Sequence, residues 1–555
     1  MNMQLRNMQK RNNYVRSAVG LAAGLVLGLG VGAVHAGERE ELETLRQTTL
    51  NLIQILVQQG VLTQEKATQL TQQAEQKAKE TAAAHAKADA AKTAGAAKPE
   101  PSVVRVQLVP EVVKKQIADQ VREEVVAQAK RERWGDENAV PEWVDRIKIE
   151  GDLRVGYQAD KFSTSNSSVA SFNTAGQLIN NTTEDRDRIR MRTTLGVNAK
   201  VTTAISAGLR LTTGSLSDPL STTQTQGNYE NKYTFSLDRA FLKINSEDTL
   251  PWLTVSAGRI PNPWFGAGLV WNDSLNFEGM TLIADPYSRS GATWRPYATV
   301  GLFPIQEIER SGTVKANSKW LYGAQAGAEW VPDTRMRAKV GLAYYDFQNI
   351  SGVQNASNSA NTAFGKTAPD FRQKGNTLFN IADPVTAAAS PLWGLAADYQ
   401  ILNLTGVLDM NLFNPVHVIL TGDYVENIGA SRSKTATRTN GAIDRELQTK
   451  GYLARVAVGM PSMLQKDDWQ LSLAYRYLEA DAVLDAFTDS DFHLGGTNNK
   501  GYILGAQYGM GKNSWLTARY MSSTEIGGSF QGGAGTASNL PLAVDAFQLY
   551  FNVRF

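Results

Sequence analysis

The feature that most constrains the fold is a repeated two-residue alternation of apolar and polar side chains, from about residue 144 to the C-terminus. Residues 469–477 read WQLSLAYRY, residues 335–344 read RMRAKVGLAY, and residues 205–212 read ISAGLRLT. Each segment predicts a strand of about ten residues with one apolar face, the length that a tilted strand needs to cross a bilayer. Strands of a soluble β-sandwich alternate in the same way, so any one segment leaves both fold classes open.

The connections between these segments separate the two fold classes. Short links lie at residues 200–203, 331–334, 413–415 and 509–513. Long links lie between them, at residues 161–185, 214–232, 349–391, 428–449 and 480–499. This alternation of short turns and long loops is typical of outer-membrane barrels, and nothing in the architecture of a soluble sandwich requires it. We therefore predict an all-β transmembrane antiparallel barrel of about sixteen strands over residues 144–555.

The N-terminus has the features of an export signal. Basic residues precede an apolar run at residues 18–34, and small residues suited to signal peptidase end at Ala36. A retained membrane anchor is the alternative, because the run is near the lower length limit for a spanning helix. No later segment has the roughly 18 unbroken apolar residues of a transmembrane helix. We predict a signal peptide at residues 1–36 and an exported mature chain.

Amphipathic segments between the signal peptide and the barrel predict helices. In residues 37–80, Leu42, Leu45, Thr49, Leu52 and Leu56 form one stripe at spacings of three and four. The stripe is too short to be stable alone, so it either forms a coiled coil with copies of itself or folds back as a hairpin. Residues 81–143 read as an Ala/Lys/Pro spacer with one amphipathic helix at 110–133. We place this segment in the periplasm, where contact with peptidoglycan is an alternative that no residue pattern supports.

Composition excludes several classes of function. The formal net charge of +2 lacks the basic excess of a nucleic-acid-binding protein. The absence of cysteine removes disulfides, thiol nucleophiles and cysteine-based metal sites. The chain has no Gly-rich phosphate loop, no His pair at metal-binding spacing and no nucleophile elbow. We predict no cofactor and no bound metal.

The four histidines give little support to an enzyme. His35 lies in the predicted signal peptide, His85 in the spacer and His417 beside a short link. His493 lies on a long loop near two aspartates, which a solvated surface explains better than a hydrolase site. We predict a protein that is not an enzyme, with an outer-membrane hydrolase and a barrel that anchors an adhesin as the alternatives.

Basic residues occupy every second position of one predicted strand. Ile189, Met191 and Leu195 fall on the opposite face, so the arginines must point inward, because a cation at the lipid midplane costs about 2–4 kcal/mol. The residues predicted to line a pore are Arg186, Arg188, Arg190, Arg192, Arg335, Arg337, Lys339, Arg154 and Arg210. Their charge favours anions in a water-filled interior, unless carboxylates on the same face neutralise it.

Residues 261–274 have the composition of a loop that folds into a barrel. Two prolines resist extension of the preceding strand, while Gly266 and Gly268 permit a tight path. The residues predicted to form a constriction are Trp264, Trp271, Asp273 and Glu278. We expect the two acids to face the arginines, as charged rings do in selective pores. An ordinary surface loop is the alternative.

The last strand ends on an aromatic residue. The predicted assembly signal consists of Phe547, Leu549, Phe551, Val553 and Phe555. This alternation resembles the signal that the outer-membrane barrel-assembly machinery recognises.

The mature chain resembles the family of putative porins that carry an N-terminal periplasmic helical segment. The matching stretches are QILVQQGVLTQEKA (54–67), DRDRIRMRTTLGV (185–197), AGRIPNPW (257–264) and LYGAQAGAEW (321–330). The resemblance implies a homotrimeric channel in outer-membrane lipid that passes small hydrophilic solutes by diffusion, and it assigns no catalytic residue. A substrate-specific channel is the alternative to a general one.

Overall fold

A computed structural model describes the C-terminal part of the chain. The described residues are 146–245, 249–287, 291–385, 387, 389–526, 530–531, 537–538 and 540–555. The predicted signal peptide, the helical segment at 37–80 and the spacer at 81–143 lie outside them. Among the described residues, no helix has the length and apolar character needed to cross a membrane.

The main sheet consists of sixteen antiparallel barrel strands and a two-residue strand, Gln224–Thr225, which pairs antiparallel with residues 190–191. The barrel strands are β1 (Ile147–Phe162), β2 (Arg186–Lys200), β3 (Ile205–Thr212), β4 (Ser236–Ile244), β5 (Leu253–Pro261), β6 (Asn276–Ala284), β7 (Trp294–Gln306), β8 (Lys319–Trp330), β9 (Met336–Gln348), β10 (Tyr399–Phe413), β11 (Val416–Asn427), β12 (Lys450–Gly459), β13 (Trp469–Leu478), β14 (Asn499–Gly511), β15 (Ser514–Glu525) and β16 (Ala543–Arg554). Each strand pairs with its neighbours along the chain, and β16 pairs with β1. The sheet is therefore a closed barrel, which confirms the predicted fold and strand number.

The outer surface of the barrel is apolar along its strands. In β2, Ile189 is 55% exposed and Leu195 is 41% exposed, at positions that alternate with the arginines. Other strands of the sheet also carry exposed apolar side chains on their outward-facing positions. They are Leu153, Leu209, Leu242, Leu282, Val300, Leu342, Leu404, Leu471, Leu504 and Phe551. A belt of this extent is far larger than the apolar patches of soluble proteins, and it matches the lipid-facing band of a membrane barrel.

Long loops and short turns alternate between the strands. The long loops are L1 (163–185), L2 (213–235), L3 (262–275), L4 (307–318), L5 (349–398), L6 (428–449), L7 (479–498) and L8, which is the connection between β15 and β16. The turns between them include residues 201–204, 414–415 and 512–513. Because successive strands run in opposite directions, all long loops lie at one end of the barrel and all turns at the other.

The loops carry short elements of their own. Helix α1 (Val169–Thr174) lies in L1 and helix α2 (Arg432–Arg438) lies in L6. In L5, residues Leu378–Asn380 pair with Trp393–Leu395 as a small antiparallel hairpin. The hairpin is separate from the barrel sheet, because its two short strands pair only with each other.

The main apolar core lies inside the barrel at the long-loop end. It joins wall residues such as Phe303 and Tyr345 to residues of three loops, including Trp271 of L3, Leu378 of L5 and Val483 of L7. All five side chains are nearly or fully buried. L3, L5 and L7 therefore turn inward, and apolar packing against the wall holds them there.

The last strand closes the barrel through its terminal residue. The N–H of Phe555 donates to the carbonyl of Gly151 at 3.1 Å, and the N–H of Gly151 donates to the carbonyl of Phe555 at 3.0 Å. Phe547, Leu549 and Phe551 are about equally exposed on the outer face of β16. The predicted assembly signal thus lies on a lipid-facing edge that pairs with β1, and its recognition by the assembly machinery stays a prediction.

We predict that Gly279 is required for the pairing of β6 with β7. Its φ is +139°, and a Cβ atom there would lie 2.1 Å from the carbonyl oxygen of Leu302. Gly279→Ala should destabilise the barrel by about 1–3 kcal/mol, because a strained backbone is combined with a backbone clash. The measurement is the temperature at which the purified barrel loses its folded migration in a gel.

Gly406→Ala is the matched control. A Cβ atom at Gly406 meets nothing within 4 Å, and the residue also lies in a barrel strand. Equal transition temperatures for the two variants would contradict the proposed role of Gly279.

Candidate functional site

L3 crosses the interior of the barrel and is clamped to its wall. The side chain of Gln325 on β8 accepts a hydrogen bond from the N–H of Phe265 at 2.9 Å and donates one to its carbonyl at 2.7 Å. Trp264 and Trp271 are 6% and 4% exposed and both pack edge-to-face on the ring of Tyr345, at 5.1 and 5.0 Å. The two predicted tryptophans thus anchor the loop and do not line open water.

L7 lies against L3. The N–H of Asn272 in L3 donates to the carbonyl of Phe487 at 2.8 Å, and the hydroxyl of Thr488 donates to the carbonyl of Leu269 at 2.6 Å. Arg476 of β13, fully buried, donates to the Thr488 hydroxyl at 2.9 Å. The two loops therefore form one layer that reaches from β6 across to β13.

Acidic groups of this layer face arginines of the wall. Asp491 of L7 lies 3.1 Å from Arg519 on β15 and 3.9 Å from Arg190 on β2. Burial raises the pKa of Asp273 in L3; nearby Asp489 raises it further, while the charges of Arg519 and Arg455 lower it. Opposite charges thus meet across the narrowed interior, as in selective pores.

Glu278 lies apart from the acids of the L3–L7 layer. This corrects the prediction that it forms the constriction together with Asp273. Its carboxylate binds Arg259 of β5 at 2.6 Å, and its side chain is 60% exposed. Strand β6 begins at Asn276, so Glu278 belongs to the wall and shares its strand parity with the exposed Met280 and Leu282.

The arginines of β2 are braced by partners on β1. Arg188 binds Asp160 at 2.5 Å, and Arg192 binds Asp152 at 2.6 Å. Arg190 donates to the side chain of Gln158 at 2.5 Å. The antiparallel register sets Arg188 opposite Gln158 and Arg192 opposite Arg154. Each arginine therefore binds a residue of β1 that lies two positions from its direct cross-strand neighbour, on the same face of the sheet. Successive arginines are about 6.6–6.8 Å apart along the strand, since side chains on one face repeat every two residues.

Four of the predicted arginines on β2, together with Arg154, surround a cavity of about 360 Å³. We call it the arginine cavity. Its basic lining residues are Arg154, Arg186, Arg188, Arg190, Arg192 and Lys374. Its carboxylates are Asp160, Asp218 and Asp491, and its apolar residues are Phe162, Leu178, Ile179, Leu220 and Leu494. Five arginines against three carboxylates leave a formal excess of two positive charges, and Lys374 adds a third when it is protonated.

The other predicted basic residues are spread along the wall. Arg210 pairs with Asp238 of β4. Lys339 places its ammonium 4.6 Å from the rings of Phe265 and Tyr297, so it contacts L3.

Two more residues that are predicted to line the pore lie near the turn at residues 331–335. Arg337 pairs with Glu329 and is 63% exposed. Arg335 precedes β9, is 75% exposed and lies near Asp333 at 3.7 Å, which corrects its placement in a strand. The Asp333 carboxylate accepts the N–H groups of residues 335 and 336, so the turn continues to Arg335.

Sequence reasoning missed Lys374 of L5. Its side chain is 3% exposed, and its ammonium donates to the carbonyl of Gly495 at 2.9 Å. Burial lowers the pKa of Lys374 to about 7, and the charge of Arg476 contributes to this. A single lysine in a polar loop carries no sequence signal, because only the folded loop brings it to the arginines.

His493 is buried, unlike a histidine on a solvated surface. Its Nδ1 lies 3.1 Å from the hydroxyl of Ser523, and burial lowers its pKa well below the usual value. The two neighbouring aspartates bind arginines: Asp489 lies 3.5 Å from Arg476, and Asp491 binds Arg519. The described residues contain no group of three His, Cys, Asp or Glu side chains able to hold a metal ion.

Comparison with known proteins gives one family and several distant structures. A family model described as a putative porin matches residues 46–555. The trimer form of OmpT, an outer membrane protein of Vibrio cholerae, is 10% identical with a TM-score of 0.39, over 74% of this chain and 99% of that one. The outer membrane channel DcaP of Acinetobacter baumannii is 10% identical with a TM-score of 0.37, over 74% and 97% of the two chains. OprB of Pseudomonas putida is 12% identical with a TM-score of 0.41, over 76% and 97%. A search of curated proteins finds no match.

We predict that Gln325 holds L3 against the wall. Gln325→Leu leaves the N–H and carbonyl of Phe265 without their partners, and each lost hydrogen bond costs about 0.5–1.5 kcal/mol. Chymotrypsin should then cleave the folded barrel after Trp264, Phe265 or Trp271 roughly ten times faster or more, because local opening exposes these sites. Mass spectrometry of the fragments measures this rate.

Gln348→Leu is the control. Gln348 is an exposed residue of β9 whose side chain donates to Asp346, and it shares the outward strand parity of Leu342 and Tyr344. If both variants were cleaved in L3 at the rate of the unchanged protein, the clamp would have no role in holding the loop.

Proposed function

The chain belongs to the putative porin family, and from this premise we propose that its barrel is an outer-membrane channel for passive diffusion of small hydrophilic solutes. The observation that carries the proposal is the arginine cavity, a polar space inside a closed barrel whose outer surface is apolar. Such a barrel is stable in lipid because every strand is paired, while its interior can hold water and solutes.

Membrane barrels of this type have long loops outside the cell and short turns in the periplasm. We therefore place L1–L8 at the extracellular end and both ends of the barrel domain at the periplasmic end. Solutes would enter past L1 and L2 and then pass between the L3–L7 layer and the wall formed by β1 and β2. The predicted helical segment at 37–80 would extend into the periplasm after removal of the signal peptide.

The acids and the histidine of L7 have structural partners, which favours a channel over an enzyme. Asp489 and Asp491 bind arginines, and His493 contacts Ser523. A hydrolase needs an acid that orients the histidine beside its nucleophile, and among the described residues no carboxylate is hydrogen-bonded to His493. The family likewise suggests a channel without enzymatic activity.

We propose that the channel prefers anions. The excess of basic residues around the arginine cavity gives a positive potential where the interior is narrow, and a low-dielectric wall strengthens that potential. The carboxylates that brace Arg188 and Arg192 reduce the effect without cancelling it.

We also propose a homotrimer. The leucine stripe predicted at 37–80 needs partners, and copies of the same segment supply them. The barrel-assembly machinery and outer-membrane lipid are the further partners that the family implies.

We predict that Arg186→Gln combined with Arg190→Gln shifts ion selectivity toward cations. Arg186 forms no ion pair in the described part of the chain. Arg190 comes no closer than 3.9 Å to Asp491, which keeps its shorter pair with Arg519, so neither change leaves a carboxylate without a partner. The measurement is the reversal potential of the purified, signal-cleaved protein in a planar bilayer across a salt gradient. Conductance should also appear in three-fold steps.

Arg335→Gln is the control, because its exposed side chain lies at the turn end outside the cavity. Its reversal potential should equal that of the unchanged protein. A bilayer that stays silent with folded barrel would contradict the channel itself. An unchanged reversal potential in the double variant would contradict only the anion preference.

A further inference from the structure

The arginine cavity contains guanidinium groups that form no ion pair with a carboxylate of the described residues. Arg188 and Arg192 each bind a carboxylate of β1. Arg154 and Arg186 form no ion pair in the part of the chain that the structure describes. A cation partly withdrawn from water without a counter-ion is unfavourable, so an anion that enters the cavity lowers this cost.

Two hydrogen-bond donors in the cavity also lack acceptors. The Nε–H groups of Arg188 and Arg190 are buried and have no partner among the described residues. Buried donors are nearly always satisfied in proteins, and a missing acceptor commonly marks a bound ligand, ion or water. Guanidinium groups offer paired donors that match the two oxygens of a carboxylate.

Asp491 is a carboxylate of the protein that lies beside the arginines of the cavity. It lies 3.1 Å from Arg519 but 3.9 Å from Arg190, so it binds the first arginine and only approaches the second. An incoming carboxylate can therefore bind Arg190 without breaking the pair between Asp491 and Arg519.

The shape and lining of the cavity favour an organic anion over an inorganic one. Its volume of about 360 Å³ lies within the range of small-molecule sites, roughly 300–1,000 Å³. Phe162, Ile179, Leu220 and Leu494 supply apolar contact on the side of L1, L2 and L7. The Cα atoms of successive arginines on β2 are about 6.6–6.8 Å apart, so two carboxylates of one molecule can bind two successive arginines.

We propose that the arginine cavity is a saturable binding site for small dicarboxylates with a short hydrocarbon chain. The inference rests on the proposed channel function and names its substrate class. The carboxylates bind the arginines of β2, and the hydrocarbon chain contacts the apolar residues of the loops. A site of this kind concentrates the solute at the narrow part of the channel and speeds its passage at low concentration.

The test measures ion current through the full-length mature protein in planar bilayers while adipate is added on the long-loop side. Adipate should reduce the current along a saturating curve. The double variant Arg186→Gln with Arg190→Gln should raise the half-saturating concentration about tenfold or more, because charge-assisted hydrogen bonds are lost. Arg335→Gln should leave it unchanged.

Phosphate and glucose are the comparison solutes. Phosphate should reduce the current only at much higher concentration, and glucose should give no saturable effect. Equal affinity for phosphate would overturn the organic class, and equal affinity for glucose would overturn recognition of charge. The single variant Arg186→Gln, at an exposed position, keeps the test valid if the double variant fails to fold.

Failure of this inference differs from failure of the channel function. An open channel whose current adipate does not reduce overturns the binding site and leaves the channel in place. A folded barrel that never conducts contradicts both.

Discussion

Pairing of β16 with β1 is the interaction on which the rest of the structure depends. Lipid offers no hydrogen-bond partner to a free strand edge, so a sheet in a membrane has to close on itself. The register that joins Asp152 to Arg554 and Phe162 to Val544 achieves this closure. It also fixes the faces of β1 and β2, so that their polar side chains point together into the interior. The arginine cavity exists because the barrel is closed at this seam.

The interior is built by charge pairing on one side and apolar packing on the other. Carboxylates and amides of β1 hold the arginines of β2 in place. Across the interior, L3 and L7 pack on the wall through Trp264, Trp271 and Phe487. A packed apolar layer resists deformation, so the loops present Asp491 to the arginines at a set distance. The site is a rigid gap between two well-supported surfaces.

Several features of the site could be predicted from local sequence because they follow from strand parity. Arg186–Arg192 alternate with apolar residues, so a lipid-facing placement would have been too costly. Other features depend on contacts between distant segments. Lys374 and Asp491 reach the cavity from L5 and L7, and no local pattern marks them. Glu278 and Arg335 show the limits at strand ends, where a shift of one or two residues moves a side chain from wall to loop or from strand to turn.

By itself, the sequence determined the sixteen strands, their lipid-facing sides and the alternation of long loops with turns. These depend on periodicity and on the cost of a polar group in lipid, which each strand meets independently. Only the tertiary structure decided that L5 and L7 fold inward beside L3, which carboxylates pair with which arginines, and that His493 is buried. Those outcomes depend on loop residues far apart in the chain that meet only after the barrel closes, so their energies cannot be read from any one segment.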